Sequence, residues 1–273
     1  MGKVMHFVNK IRTISLLLLP FIAAYATSPT LAAPAAVTTL DVCKVGASGL
    51  WRYSGVVAVA DTRPGIAMSV RVQNKVVGDF IDIHKVSVPA GRVSTAGTGF
   101  AKVLPFSVDA LPLMFGSIRN AARVSLSGDL LGEPTFTVTE QIGVCHRPAT
   151  TCTRMQAIWI NQPGPKWPSG FDRQAKFFSS GLTLQQVLDM PAQDNGYLIL
   201  AQHSIVAALN VAGGTAQQAG IRSTLQQASA YFAGGATPAS CPPGQCALQK
   251  SWAAVLDSYN SGAYPGGPKL CAA

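Results

Sequence analysis

Near residue 150 the hydrophobic repeat of the chain changes from two residues to about 3.6, which separates a strand-forming half from a helix-forming half. Over residues 37–144 apolar and polar side chains alternate in short runs: TLDVCKV, YSGVVAVA, AMSVRVQ, FIDIHKVSV, ARVSLSG and PTFTVTEQI. In the last run Phe136, Val138 and Glu140 share one face, and Thr135, Thr137 and Thr139 share the other. Such alternation marks half-buried strands in antiparallel sheets. Arg63-Pro64-Gly65, Val77-Gly78-Asp79, Pro89-Ala90-Gly91 and Ser127-Gly128-Asp129 supply turns between the runs. About seven short strands with frequent turns predict an N-terminal immunoglobulin-like antiparallel β-sandwich over residues 37–146. Trp51 is expected between its sheets, and the Pro-rich residues 104–115 are expected to connect them.

His146-Arg147-Pro148-Ala149-Thr150 reads as a short polar linker. Residues 150–273 then predict a small, disulfide-stapled helical bundle. Thr183 is placed to cap a helix through Met190, with Leu184, Val187 and Leu188 on one face and Pro191 as its stop. Asn195 is placed to cap a second, through about Ala212, with Leu198, Ala201, Ile205 and Leu209 as its apolar stripe. Gly213-Gly214 end it. A third is expected to start at Thr215, carry Ala219, Leu225, Ala228 and Phe232, and end at Gly234-Gly235. A fourth runs from about Ala247 to Tyr259, with Leu248, Trp252, Val255 and Leu256 on its apolar face.

Residues 1–32 read as a signal peptide. Lys3, Lys10 and Arg12 precede an apolar run at 14–24, and small residues offer cleavage after Ala26 or Ala32. The run is shorter than the roughly 20 residues a spanning helix needs, so no transmembrane segment is expected after removal of the signal. Asp41, two residues before Cys43, argues against a lipid-attached cysteine there. The formal charge of +9 falls to +6 once those three basic residues leave. The remaining charges are scattered singly, without the basic run that marks a nucleic-acid partner. The expected location is secreted, periplasmic or cell-surface.

Six cysteines, at 43, 145, 152, 241, 246 and 271, predict three disulfides in an oxidising compartment. Cys43 and Cys145 bracket the strand-rich half and are expected to pair; closing so long a loop contributes about 4–5 kcal/mol in the chain-entropy model. Cys152, Cys241, Cys246 and Cys271 then share two bonds, in a pairing the sequence leaves open. A four-thiolate zinc site needs two close cysteine pairs, and only Cys241 and Cys246 are close. No metal or cofactor is expected.

The order Cys152-Thr153, Trp159, FFSSGLTLQQVLDMP and NGYLILAQHSIVAALNVAGG resembles a Cys/Trp module of secreted bacterial proteins, over about residues 152–233. That module begins CTxTQGYWKxH and continues LAHQxIAAxLN. The resemblance implies an extracellular protein in which the module is often joined to β-sandwich repeats, and it implies no assigned activity. The chain departs from the pattern in two places. Of the opening signature it keeps Trp159 within Met155-Gln156-Ala157-Ile158-Trp159-Ile160-Asn161, and Gln202-His203 stands where the module has His-Gln.

Three residues are candidates for binding: Trp159, Trp167 and His203. The two indoles, with Lys166 beside Trp167, could form a stacking platform for a sugar, although their large apolar area favours core packing. His203 lies in an apolar helix, where a structural role outweighs a catalytic one. His84 sits in a strand-like run, and Asp79 and Asp82 lack the six or more oxygens of a calcium loop. No G-x-S-x-G, H-E-x-x-H, Walker or G-x-G-x-x-G motif occurs. Glu133 and Glu140 are the only glutamates available to a glycosidase-type carboxylate pair. Two functional readings follow. The first is a non-enzymatic cell-surface or extracellular structural or binding module whose partner is a surface glycan or another envelope protein. The second is an extracellular hydrolase or carbohydrate-binding enzyme with a site between the halves built from His203, Asp194 and Trp167.

Overall fold

The computed structural model describes residues 35–60, 68–76, 79–88, 102–110, 122–127, 135–138, 145, 151–161, 166–242 and 245–272. The signal-peptide expectation and the linker at 146–150 lie outside them. The strands in chain order are β1 (Ala35–Thr38), β2 (Asp41–Lys44), β3 (Trp51–Ala60), β4 (Met68–Val76), β5 (Asp79–Val88), β6 (Lys102–Ala110), β7 (Ala122–Ser127) and β8 (Thr135–Val138). They form two antiparallel sheets, one of β1, β2, β3 and β6 and one ordered β5-β4-β7-β8.

In the first sheet β1 and β2 follow one another along a single edge of β3, and β6 takes the other edge. Between β1 and β2, Thr39 N–H donates to the Val56 carbonyl at 2.9 Å, and the Thr39 hydroxyl accepts from Val56 N–H at 3.0 Å. Both backbone groups of Val56 therefore face Thr39. Pro105 of β6 is the register partner of Val56 on the opposite edge. A position whose partner bonds the other way needs no N–H, so proline fits here without losing a ladder bond. This corrects the expectation of a connecting segment at 104–115: its first part is strand β6. In the second sheet Asp79, Asp82 and His84 all stand in strand β5, with a register shift opposite Val72 and Gln73. Asp79 and Asp82 are thus strand residues, not members of a calcium loop.

The helices are α1 (Gln156–Ile160), α2 (Leu184–Asp189), α3 (Gly196–Ala212), α4 (Ala219–Ala233) and α5 (Ala247–Asn260). The Thr183 hydroxyl accepts from Gln186 N–H while the Gln186 side chain accepts from Thr183 N–H, a reciprocal cap for α2. Asn195 Oδ1 accepts from Leu198 N–H at 3.0 Å to open α3. The third helix begins at Ala219, not at Thr215, because the Thr215 side chain is buried and its hydroxyl donates to the Cys152 carbonyl. Leu248, expected on the buried face of α5, is 40% exposed. No described helix is long and apolar enough to cross a membrane.

Thirteen of the 17 residues of α3 are buried, so it is a central helix and not an amphipathic one. Asp194 meets Lys250, His203 meets Asp257 and Asn210 meets Asn260, so α3 and α5 run side by side in the same direction. The opposite side of α5 packs on β3, with contacts to β1 and β6. One hydrophobic core therefore runs from Val56, Ala58 and Ala60 of β3 through Ala254 and Leu256 to α3. Ala60 N–H also donates to the Ser251 hydroxyl of α5 at 3.0 Å. The strands and helices share this core on both sides of residue 146.

A second junction is polar. Asp41 of β2 accepts Gly220 N–H, in the first turn of α4, at 3.1 Å, and accepts the Tyr264 hydroxyl at 2.6 Å. A carboxylate at a helix N-terminus meets unpaired N–H groups and the positive end of the dipole. Burial nevertheless holds Asp41 above the usual carboxylate range. Three disulfides complete the fold. Cys43 is bonded to Cys145, Cys152 to Cys271 and Cys241 to Cys246. Beside the second, Thr153 N–H donates to the Lys269 carbonyl and Cys271 N–H to the Thr153 carbonyl, both at 2.9 Å.

Candidate functional site

A cavity of about 470 Å³ opens between the loop before α2 and one side each of α3 and α4. Its loop wall is built locally. Phe177 N–H donates to the Leu182 carbonyl at 2.9 Å, and the Ser180 hydroxyl donates to the Phe177 carbonyl at 2.6 Å while accepting Leu182 N–H at 3.1 Å. Gly181, at φ 77°, reverses the chain in a conformation that favours glycine. The two adjacent phenylalanine rings pack edge-on at 5.0 Å, and both lie against Phe232 of α4. Phe177 is buried, edge-on to Phe232 of α4 at 4.7 Å. Phe178 has φ 45° and leaves its ring 43% exposed at the cavity.

Spacing on the helices supplies the other walls. Ser204, Ile205 and Ala208 project from one face of α3, and Leu225, Ser229 and Phe232 from one face of α4. The lining is apolar apart from Lys176, Ser204 and Ser229. Ser204 is 8% exposed, and its hydroxyl is buried without a hydrogen-bond partner. Leaving such a group unpaired costs about 1–3 kcal/mol. Lys176, exposed beside it, donates to the Gly181 carbonyl at 2.9 Å and joins no ion pair among the described residues. The volume falls within the roughly 300–1,000 Å³ of small-molecule pockets.

The candidates drawn from sequence lie elsewhere. Trp159 is 1% exposed and Trp167 8%. The Trp167 indole N–H donates to the Trp159 carbonyl at 3.1 Å, Arg173 covers Trp167 at 4.6 Å, and Arg154 lies 5.6 Å from Trp159. Buried rings covered by guanidinium groups offer no stacking face to a sugar, so the two indoles are core. His203 Nδ1 lies 3.5 Å from Asp257 Oδ1, between α3 and α5. Burial lowers the imidazole to about 4 and raises the carboxyl to about 6. Asp194 pairs instead with Lys250 at 2.5 Å. Asp194 lies ahead of the first residue of α3, Gly196, which is itself about 10 Å along the helix axis from His203. His203, Asp194 and Trp167 therefore do not form one site. Glu133 and Glu140 lie outside the described residues.

The cavity residues carry one local sequence signal, two adjacent phenylalanines before Ser-Ser-Gly. Both rings reach Phe232 of α4, at 4.7 and 5.5 Å, but Phe177 is buried and Phe178 stays partly exposed at the cavity.

No protein-family model matches the chain, and no curated protein does. Solved structures resemble parts of it. The Arabidopsis thaliana protein AT1g01470 is similar over 45% of this chain and 90% of its own, at 14% identity and a TM-score of 0.27. The Bacillus subtilis sporulation control protein Spo0M is similar over 42% of this chain and 50% of its own, at 16% identity and 0.22. Bacteroides uniformis beta-glucuronidase 2 is similar over 45% of this chain and 16% of its own, at 14% identity and 0.23. At such TM-scores these likenesses carry no argument about fold or activity.

Proposed function

We propose that the chain is an exported, non-enzymatic binding module of the secreted Cys/Trp kind, and that its helical half takes an apolar small molecule in the cavity between α2, α3 and α4. In this reading residues 37–146 form an immunoglobulin-like sandwich that presents the helices at a bacterial surface or in the extracellular space. Burial along β3 supports a layer on each face, since Tyr53, Val57 and Val59 alternate with the helix-facing Val56, Ala58 and Ala60 and are buried too. Three disulfides fit an oxidising compartment.

The observation that carries the reading is the cavity itself, phenylalanine-walled and holding a buried hydroxyl with no partner among the described residues. Among the described residues its lining contains no imidazole, carboxylate or thiol, and the one ionisable group there, Lys176, donates to a carbonyl. That composition suits binding better than hydrolysis. A glycan partner loses its support with the burial of both indoles.

Titrating the oxidised protein with N-phenyl-1-naphthylamine, a neutral fluorophore that brightens in apolar surroundings, tests the reading. Saturable binding is expected, and Ala208→Trp, which fills the cavity, is expected to weaken it at least tenfold. Absence of saturable binding, or binding indifferent to Ala208→Trp, rules the cavity out. Turnover of chromogenic esters or glycosides would establish the hydrolase instead.

A further inference from the structure

Resting on that reading of the cavity, we infer that its ligand is an oxygenated apolar carboxylic acid. The carboxylate meets Lys176 at the mouth, the hydrocarbon lies among the phenylalanines, and a hydroxyl or keto oxygen on that hydrocarbon meets Ser204. The polar groups of the cavity are sorted by depth. Lys176 is exposed and brings a cation that, among the described residues, bonds to a neutral carbonyl and to no carboxylate. An anionic head at this point gains a charge-assisted hydrogen bond without breaking an ion pair. Ser204 is buried, and its unpaired hydroxyl is a lasting cost that a bare hydrocarbon does not relieve. An oxygen on the ligand's body does relieve it. Between the two levels Phe171, Phe177, Phe232 and Leu184 provide apolar walls and no further charge. Phe178, held at φ 45° and partly exposed, lies against Phe177 and Phe232 and adds a further aromatic ring to the cavity wall. Unusual backbone of this kind recurs at ligand sites.

Displacement of bound N-phenyl-1-naphthylamine by three decyl compounds, each below its micellar concentration, tests the assignment. 10-Hydroxydecanoate is expected to compete at least tenfold better than decyltrimethylammonium and at least threefold better than decanoate. Lys176→Gln should abolish the first preference and leave the second. Ser204→Ala should abolish the second and leave the first. Circular dichroism confirms that each variant retains the wild-type fold before it is compared. Equal competition by acid and ammonium overturns the carboxylate assignment, and equal competition by the two acids overturns the assignment at Ser204. Either result, with fluorophore binding still sensitive to Ala208→Trp, removes this inference and leaves an apolar binding cavity. Loss of that sensitivity removes the cavity reading as well.

Discussion

At residue scale His203 and Asp257 form a half-buried titratable pair. An ordinary aspartate and histidine, at 3.8 and 6.5, hold one proton between them in the interval separating those values. In the fold, with Asp257 near 6 and His203 near 4, the pair again holds one proton between about pH 4 and about pH 6. Stability depends on pH only where the folded and unfolded states bind different numbers of protons, so this pair contributes a flat profile there. Asp257→Asn removes the compensation. The remaining imidazole is neutral in the fold above about 4 but protonated in the unfolded chain up to 6.5. The variant should therefore gain stability relative to wild type as pH rises from about 4 to about 6, the two profiles running parallel above that. Urea midpoints of both proteins across that range measure it, and a constant difference between them would contradict the assignment. Sequence placed His203 in an apolar helix but could not supply its partner, which lies 54 positions away on another helix.

At the scale of elements, what was legible was local. The caps of α2 and α3 were readable because an N-cap and its acceptor lie within three residues. Strand β6 was misread because the tolerance of Pro105 depends on which edge Val56 uses, a property of register and not of the proline. The cavity went unseen because its walls come from a loop and two helices, each with an ordinary apolar pattern. Close approach between elements is equally silent in sequence. A Cβ on Gly220, in the first turn of α4, would stand 2.5 Å from the Tyr264 hydroxyl oxygen and 2.6 Å from Thr39 Cβ. Gly220→Ala should thus destabilise by about 2 kcal/mol, roughly 4–8 °C in Tm, although alanine is the better helix former. Gly234→Ala, whose nearest neighbours stand at 3.4 Å, should change little. Thermal melts of the two variants compare them directly, and equal melting temperatures would show that α4 does not abut Thr39 and Tyr264 as described.

At the scale of the molecule, the change of hydrophobic period near residue 150 divides secondary structure but not the core. Ala58 of β3 is fully buried in the cluster that includes α5. Ala58→Asp should cost at least about 3 kcal/mol, because it places an unpaired charge there. The helical signal at 222 nm and the strand content by infrared should be lost together on denaturation. If the helices keep their wild-type midpoint, the two halves are energetically independent and the shared core contributes nothing. Sequence periodicity reports how each element is amphipathic, and it is silent on which element covers which. For that reason the two kinds of structure were legible and their union was not.

The hydrogen bond from Ala60 to Ser251 spans 191 positions, and the strand face beside it is covered by α5, the last helix among the described residues. Polypeptides are made and delivered from the N-terminus, so β3 is complete long before its cover exists. Throughout that interval Val56, Ala58 and Ala60 form an adhesive strip with no native partner to close over it. The closing of this core therefore waits for α5, and a chain interrupted before Ala247 leaves the strip open.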